Sequence, residues 1–195
     1  MMRNHEYLTR PELERLGFAA LGEDVRIHPS CVLVGCERMT IGSHVRIDPF
    51  CIVTVGGRLT IGDHVHVSAH ATIVGSGTVE IGDHANISHG AKLLSSTDHF
   101  SAAGIAGPLV PDAFRKVEHG PVSVGRHAIV GAGSVLLPGA SLGEGATVGA
   151  LSLVKRDVAP WTVNAGVPVR EIGRRDRDGV VQLERELQAS RRPPA

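Results

Sequence analysis

The sequence predicts an all-β fold in which short strands wind into a parallel β-helix. Four segments, beginning at Leu21, Ile41, Ile61 and Ile81, align without gaps at a period of twenty residues. Within each segment an aliphatic residue recurs every six positions, which places three short faces on one coil with their aliphatic side chains in a common interior. Aromatic residues make up only 3% of the chain, which also contains 24 glycines. This composition suits a narrow aliphatic interior bounded by tight turns.

A short helix is predicted before the first coil. Thr9 and Glu12 have the spacing of a capping box, in which the two side chains satisfy the first free backbone N–H groups of a helix. Gly17 stands where the helix would end. We expect residues 1–20 to form a helical cap over the end of the solenoid.

The coils are expected to run from residue 21 onward, with aliphatic residues filling the interior. The predicted interior positions of the four long coils are Leu21, Ile27, Leu33, Ile41, Ile47, Val53, Ile61, Val67, Ile73, Ile81, Ile87 and Leu93. After Pro121 the spacing becomes strictly six, through Val124, Val130, Leu136, Leu142, Val148 and Val154. Small residues recur four positions after most of these, at Ala128, Ser134, Ala140, Ala146 and Ser152. The period-six pattern therefore predicts one β-helix domain over residues 21–172.

The repeat is interrupted by residues 100–121, which have no hexapeptide pattern. A loop that leaves a regular solenoid is either decoration or a wall of a functional site. Beyond the solenoid, residues 173–195 are expected to form a closing helix with Val180, Leu183 and Leu187 on one stripe. The last five residues, RRPPA, are expected to be disordered.

Charge and composition argue against several classes of partner. Twenty basic residues balance twenty acidic ones, so the positive surface typical of nucleic-acid or anionic-membrane binding is not expected. No apolar run has the length of a membrane span or a secretory signal, and we expect a cytoplasmic protein. The three cysteines, Cys31, Cys36 and Cys51, have no zinc-site spacing and are expected to be reduced. Cys31 and Cys51 should point into the interior as small hydrophobic residues.

The hexads resemble those of the hexapeptide-repeat acyltransferases, over roughly Leu21 to Ile172. This resemblance, and not the general handedness preference of crossover connections, implies a left-handed β-helix that assembles as a homotrimer. The stretches YLTRPELERLGFAALGEDVRI and GAGSVLLPGASLGEGATVGALSLVKRD look like acyltransferases of surface-polysaccharide pathways, some of which N-acetylate nucleotide-linked 4-amino-6-deoxy sugars. The resemblance therefore implies transfer of acetyl from acetyl-CoA to a hydroxyl or amine of a sugar or nucleotide sugar.

The catalytic residues implied by this resemblance lie where the hexads stop. In the similar galactoside and maltose acetyltransferases a catalytic histidine begins such a loop, and the matching residue is His99. An imidazole there would remove the proton of the attacking group, and Asp98 is expected to fix its tautomer. His119, at the far end of the loop, is a candidate acceptor contact or a structural residue. Ser68 and Asn86 are further acceptor-binding candidates, expected to face outward, and Ser68 departs from the asparagine of the galactoside enzyme.

The resemblance also implies a donor site in the later coils and the terminal loop. Backbone groups of Ala132 and Ala150 match positions that line the pantetheine arm of coenzyme A. Basic side chains in the terminal loop match residues that meet its phosphates: Lys155, Arg156, Arg170 and Arg174. The alternative interpretation of these four side chains is a solvated basic surface.

A metal site is not expected. His44, His64, His84 and His127 recur at the fourth hexad position and are predicted to form an exposed ladder. His89-Gly90-Ala91 resembles part of the zinc motif of γ-class carbonic anhydrases, but the second histidine of that motif falls at Leu94. One strong zinc donor is therefore missing.

Two other functions remain open from the sequence. The acceptor could be a small secondary metabolite, or the solenoid could be a trimeric scaffold or binder without catalytic activity. Release of free thiol from acetyl-CoA in the presence of aminosugars would separate an enzyme from a scaffold.

Overall fold

The computed structural model describes residues 7–100 and 104–190 and confirms the predicted β-solenoid. Its coils are triangular in section, and each side of the triangle is a sheet of parallel strands, numbered here in chain order. The first sheet contains β1 (Ala20–Leu21), β4 (Met39–Ile41), β7 (Arg58–Ile61), β10 (Thr78–Ile81), β15 (Val122–Val124) and β18 (Ser141–Leu142).

The second and third sheets complete the triangle. The second contains β2 (Arg26–Ile27), β5 (Arg46–Ile47), β8 (His66–Val67), β11 (Asn86–Ile87), β16 (Ile129–Val130), β19 (Thr147–Val148), β21 (Thr162–Gly166) and β22 (Val169–Arg174). The third contains β3 (Val32–Val34), β6 (Ile52–Val55), β9 (Thr72–Gly75), β12 (Lys92–Leu94), β17 (Val135–Leu136) and β20 (Leu153–Val154). Short 3₁₀ turns lie at Cys36–Arg38 and Asp112–Phe114.

The register reproduces the twenty-residue period. Ile41 pairs with Ile61, and Ile61 with Ile81, so like residues stack coil on coil. The predicted hexad residues after Pro121 are all at most 2% exposed, and the small residues beside them are at most 3% exposed. Because equivalent aliphatic residues stack on one another from coil to coil, they bury one continuous apolar column. A chain with few aromatic residues can form its core in this way.

A short helix lies where the sequence predicts one, and residues 1–6 of the predicted cap lie outside the described residues. Helix α1 (Arg10–Arg15) begins after Thr9, whose backbone N–H donates to Glu12 Oε2 at 2.7 Å. Its Leu13 is 1% exposed and belongs to the core, so the helix closes the first coil. Gly17 follows the helix with a φ of 72°, a conformation that glycine adopts readily.

The predicted excursion is a β-hairpin. Strands β13 (Ser96–Asp98) and β14 (Val117–His119) pair antiparallel, and the solenoid resumes at β15. The two strands leave and re-enter the coil side by side at the corner between the third sheet and the first. The loop can therefore protrude without separating neighbouring coils. The interruption costs the solenoid no pairing, because β10 and β12 stack directly on β15 and β17.

The C-terminal part ends in an antiparallel pair and a helix. Strands β21 and β22 form a hairpin that caps the second sheet, and helix α2 (Arg177–Ser190) follows. The predicted apolar stripe is only partly covered: Val180 is half-buried and Leu187 is 40% exposed, whereas Leu183 is 66% exposed. The five-residue tail, predicted to be disordered, lies outside the described residues.

The predicted histidine ladder exists, but it is not exposed along its whole length. Asp24, four histidines, Gly145 and Trp161 occupy the same corner of successive coils, and the φ of every member other than the glycine lies between 48° and 58°. The side chain of His44 is 44% exposed, whereas those of His84 and His127 are 19% and 8% exposed. The prediction was wrong for these last two because α2 covers them, which the repeat pattern gives no means to foresee. Among the described residues, no helix is long and apolar enough to cross a membrane.

Candidate functional site

Three of the four basic side chains predicted for the donor site line one cavity at the C-terminal end of the solenoid. Lys155 and Arg156 follow β20, and Arg170 lies on β22. Together with Asp157, Pro168 and Val169 they line a cavity of about 410 Å³. Three cations against one carboxylate leave this cavity with a net positive charge. A cluster of this kind suits the phosphate groups of an anionic ligand, because phosphate oxygens form strong charge-assisted hydrogen bonds with Lys and Arg.

The fourth basic side chain predicted for the donor site lies outside this cavity. Arg174 is not among the residues that line this cavity, and its Nε pairs with Glu171 Oε1 at 3.1 Å. Ala132 and Ala150 lie in register at the corner between the second and third sheets, where Leu151 N–H donates to the Ala132 carbonyl at 2.8 Å. Both alanines are exposed, so their backbone is accessible along that corner.

The hairpin holds Asp98 firmly. Its Oδ2 accepts from the Gly107 backbone N–H at 3.0 Å, and its Oδ1 accepts from Arg115 Nε at 3.1 Å. The hydrogen bonds from Arg115 and then Gly107 lower the pKa of Asp98 below its usual value. A carboxylate that stays ionised and is tied to the loop on both oxygens is well suited to meet a cationic or proton-bearing group. Its predicted role in fixing the His99 tautomer stays a prediction.

The two loop histidines lie at different places. His99 follows β13, and its backbone N–H donates to the Lys116 carbonyl at 3.0 Å. His119 pairs with Ser96 in the strand register, and its Nδ1 lies 2.8 Å from Ser76 Oγ. Three residues of strand separate the two positions, roughly 10 Å of extended chain. The hairpin pairs His119 with the opposite end of β13 from His99, and its contact with Ser76 favours the structural of its two predicted roles.

A polar cluster on the outer face of the second sheet was missed from the sequence. Asp48 is 6% exposed, and its carboxylate meets Arg46 Nε at 2.6 Å and His66 Nε2 at 2.8 Å. The Tyr7 hydroxyl donates to the same carboxylate at 3.3 Å. Burial raises the pKa of Asp48, but the hydrogen bonds from His66 and Arg46 outweigh it and hold the pKa below its usual value. The signal available was the twenty-residue spacing of Arg46, His66 and Asn86 on one outward face.

The two predicted acceptor residues of this sheet have different surroundings. Ser68 is only 3% exposed, so the expectation that it faces solvent was wrong for this chain. Asn86 stacks in register on His66, and its Oδ1 is buried without a hydrogen-bond partner among the described residues. A buried acceptor without a donor is costly, and a ligand donor would satisfy it.

The cysteines do not form a nucleophilic site. Cys51 is fully buried and its thiol donates to the Ser68 carbonyl at 3.2 Å, as a small interior residue would. The hydrogen bond with Cys31, and then burial, raise the pKa of the Cys51 thiol. Cys31, in the first coil, is only partly buried. Within residues 7–100 and 104–190 no group of three His, Cys, Asp or Glu side chains is arranged to hold a metal ion.

Comparison with known proteins gives relatives over nearly the whole chain. The dTDP-4-amino-4,6-dideoxy-D-glucose acyltransferase of Escherichia coli is 38% identical over 179 residues, which span 91% of this chain and 93% of that protein. AntD, an N-acyltransferase of Bacillus cereus solved with dTDP and 3-hydroxybutyryl-CoA, is 36% identical with a TM-score of 0.90, over 94% of this chain and 97% of AntD. No family model matches the chain.

AntD has also been solved with a nucleotide-linked aminosugar and with point substitutions. One structure, of a serine-to-alanine variant with dTDP-4-amino-4,6-dideoxyglucose and coenzyme A, has a TM-score of 0.92 and 34% identity, over 96% of this chain and all of AntD. Other variants replace an aspartate that lies ten positions after that serine. In this chain only one serine, Ser88, has an aspartate ten positions later, and that aspartate is Asp98.

Proposed function

The chain belongs to the hexapeptide-repeat acyltransferases, with the left-handed β-helix of that family, and we propose that it N-acylates a nucleotide-linked 4-amino-4,6-dideoxy sugar. It is an acyl-CoA-dependent acyltransferase. The observation that carries the choice of acceptor is the 38% identity, along nearly the whole chain, to an enzyme named for such a sugar. The cytoplasmic location expected from the sequence stays a prediction.

The donor is proposed to bind with its phosphates at the cavity lined by Lys155, Arg156 and Arg170. Their convergence from two separate segments supports this, since a merely solvated basic surface has no need of a shared cavity. The exposed corner at Ala132 and Ala150 would accommodate the pantetheine arm, whose amides pair well with accessible backbone groups.

The reaction is proposed to be a direct attack of the sugar amine on the thioester carbonyl. The C–N bond forms as the C–S bond breaks, the amine loses a proton, and the coenzyme A thiolate gains one. His99 is the proposed acceptor of the amine proton, since imidazole titrates near neutral pH. The ionised Asp98 next to it in the chain is proposed to bind the amine while it is still an ammonium, in keeping with the aspartate substituted in AntD. The ammonium first gives one proton to His99 to become the nucleophile, and the proton shed as the C–N bond forms goes to the departing thiolate.

Ser88 and Asn86 are proposed to bind the sugar. Asn86 lies two residues before Ser88. Because alternate residues of an extended segment share one face, the two side chains are expected to lie on the same face. The buried Oδ1 of Asn86 has no donor among the described residues, so a sugar hydroxyl would complete its hydrogen bonding. The deeply buried Ser68 is not needed for this contact.

The active site is proposed to be shared between protomers of a homotrimer. Ser88 and Asp98 lie on either side of β12, at the two corners of the coil that this strand joins. A single amine is most simply reached by Ser88 of one protomer and Asp98 of the next. The outer face of the third sheet also exposes Val32 (52%), Val34 (56%) and Ile52 (42%), an apolar row that suits a subunit interface.

We expect the chain to be trimeric in solution. Light scattering at micromolar concentration should give three times the chain mass of 20.5 kDa. A monomer that is fully active at that concentration would contradict the shared site.

The proposed acceptor is tested by thiol release. With acetyl-CoA or 3-hydroxybutyryl-CoA as donor, dTDP-4-amino-4,6-dideoxyglucose should release thiol well above the background hydrolysis of the thioester. The matched control is the nucleotide sugar that carries a hydroxyl in place of the 4-amino group, which should give only background release. Equal release with both sugars would contradict N-acylation as the main reaction.

A further inference from the structure

Helix α2 contacts the solenoid through a buried carboxylate. The Glu184 side chain is 9% exposed, whereas Leu183, one residue before it, is 66% exposed. A charged side chain that is buried while the adjacent leucine is exposed indicates that the contact depends on specific partners.

Glu184 meets three basic side chains of the solenoid. Its carboxylate forms an ion pair with Arg126, its Oε2 lies 2.9 Å from His127 Nε2, and its Oε1 lies 3.3 Å from His84 Nε2. On its own helix, Gln188 Nε2 donates to Oε1 at 3.0 Å. Both carboxylate oxygens are therefore engaged, which fixes the helix at one orientation.

The two imidazoles belong to the histidine ladder, which continues to the end of the solenoid. Ring centroids of adjacent histidines are 4.6 to 5.0 Å apart, and the indole of Trp161 lies 6.3 Å beyond His127. Gly145 leaves room for that indole, since a Cβ on Gly145 would stand 2.3 Å from it. The ladder thus forms a rigid support that ends beneath the terminal hairpin.

Arg175 ties the hairpin to the same support. Its backbone N–H donates to the Trp161 carbonyl at 2.9 Å, and its guanidinium donates to the carbonyls of His127 and Gly145. Trp161 immediately precedes β21, and Arg175 immediately follows β22. Both ends of the hairpin are therefore anchored at the top of the ladder, directly before α2 begins.

The tip of this hairpin lines the cavity of the proposed donor site. Pro168, Val169 and Arg170 form one of its walls. We propose that Glu184 is a positioning residue for the acyl-CoA site: by docking α2 on His84, Arg126 and His127 it fixes the hairpin that presents Arg170 to the donor. This inference rests on the proposed donor site, since Glu184 itself lies outside the cavity lining.

The contact should weaken in acid. A cavity of about 170 Å³ beside Glu184 is lined by Asp63, His64, Asp83, His84 and Arg126, and His127 contacts the carboxylate directly, so these six are the charged and titratable groups of the solenoid that face it. Burial raises the pKa of Glu184, but hydrogen bonds from His127 and Arg126 outweigh it and lower the pKa. Burial lowers the pKa of His84. Because the docked state depresses the pKa of His84, protonation of this imidazole favours release, and docking declines as the pH falls below the ordinary imidazole value of about 6.5; the Glu184 carboxylate adds to the decline only below its own ordinary value of about 4.5.

The test is the affinity for coenzyme A alone, measured by calorimetry on the full chain. Glu184→Gln should raise the dissociation constant by roughly two- to thirtyfold, the range expected for a residue that acts through a coupled element. Glu186→Gln removes the same charge from an exposed position of the same helix and should bind coenzyme A as the wild type does. Wild-type affinity in Glu184→Gln would overturn the inference, whereas a wild type without coenzyme A binding would overturn the proposed donor site instead.

A second measurement needs no variant. Hydrogen exchange of residues 162–174 in the wild type should be faster at pH 5.5 than at pH 7.5, after correction for the intrinsic rate, while the central coils stay protected. A merely structural helix would leave the protection of this hairpin unchanged between the two pH values, and that result would overturn the inference.

Discussion

His99→Ala should lower turnover by roughly 10²- to 10⁴-fold, the usual contribution of a positioned general base. The side chain follows the short strand β13 and lies outside the stacked interior, so the substitution should leave assembly and coenzyme A binding intact. The pH profile of turnover should also lose its limb near neutral pH, where imidazole groups titrate. The measurement is steady-state kinetics with saturating donor and the nucleotide-linked aminosugar, between pH 5.5 and 9.

His119→Ala is the matched control for this experiment. It removes an imidazole from the same hairpin but at the other end of the strand ladder, beside Ser76. We expect its turnover to stay within a few-fold of the wild type. If His99→Ala keeps wild-type turnover and the same pH limb, His99 is not the base, and a large loss in His119→Ala would transfer the role to that residue.

Arg170→Ala should raise the Michaelis constant for acyl-CoA while turnover at saturation stays close to that of the wild type. A charge-assisted contact with phosphate contributes on the order of 1.5 to 3 kcal/mol, which corresponds to roughly tenfold to hundredfold in affinity. The effect falls on binding and not on chemistry because the phosphates are remote from the thioester. Initial rates over a range of acyl-CoA concentrations measure it.

Arg174→Ala is the control for Arg170→Ala. Arg174 has a side chain that is 73% exposed, pairs with Glu171, and is not among the residues lining the cavity. A surface ion pair of this kind contributes little, so the Michaelis constant should change less than threefold. Equal effects of the two substitutions would indicate that a diffuse positive surface, and not the cavity, attracts the donor.

The solenoid was predictable because its buried aliphatic residues recur at a fixed spacing along the sequence. Ile41, Ile61 and Ile81 occupy the same place in successive coils, so the position of one fixes the positions of the others. The family resemblance also pointed to Lys155, Arg156 and Arg170, and these three side chains line one cavity, where their role in donor binding stays a prediction. The interruption at residue 100 was visible for the same reason, as a loss of the period.

Contacts without a period were not predictable. Arg115 reaches Asp98 across the hairpin, and the pairing of the two strands depends on a register that residues 100–121 do not encode in any repeat. The docking of Glu184 on His84 and His127 joins parts of the chain about sixty to a hundred residues apart. The helical period predicted only an apolar stripe of Val180, Leu183 and Leu187, because it gives the apolar face of a helix but not the partner of a buried charge.

The most direct test of the central claim is the mass of the acceptor product. After incubation with acetyl-CoA, the wild-type protein should convert dTDP-4-amino-4,6-dideoxyglucose into a species heavier by one acetyl group, with one free thiol released per product and an amide at the former amine. A wild-type protein that binds coenzyme A but leaves this nucleotide aminosugar unchanged, with either acetyl-CoA or 3-hydroxybutyryl-CoA at saturation, would contradict the proposed function.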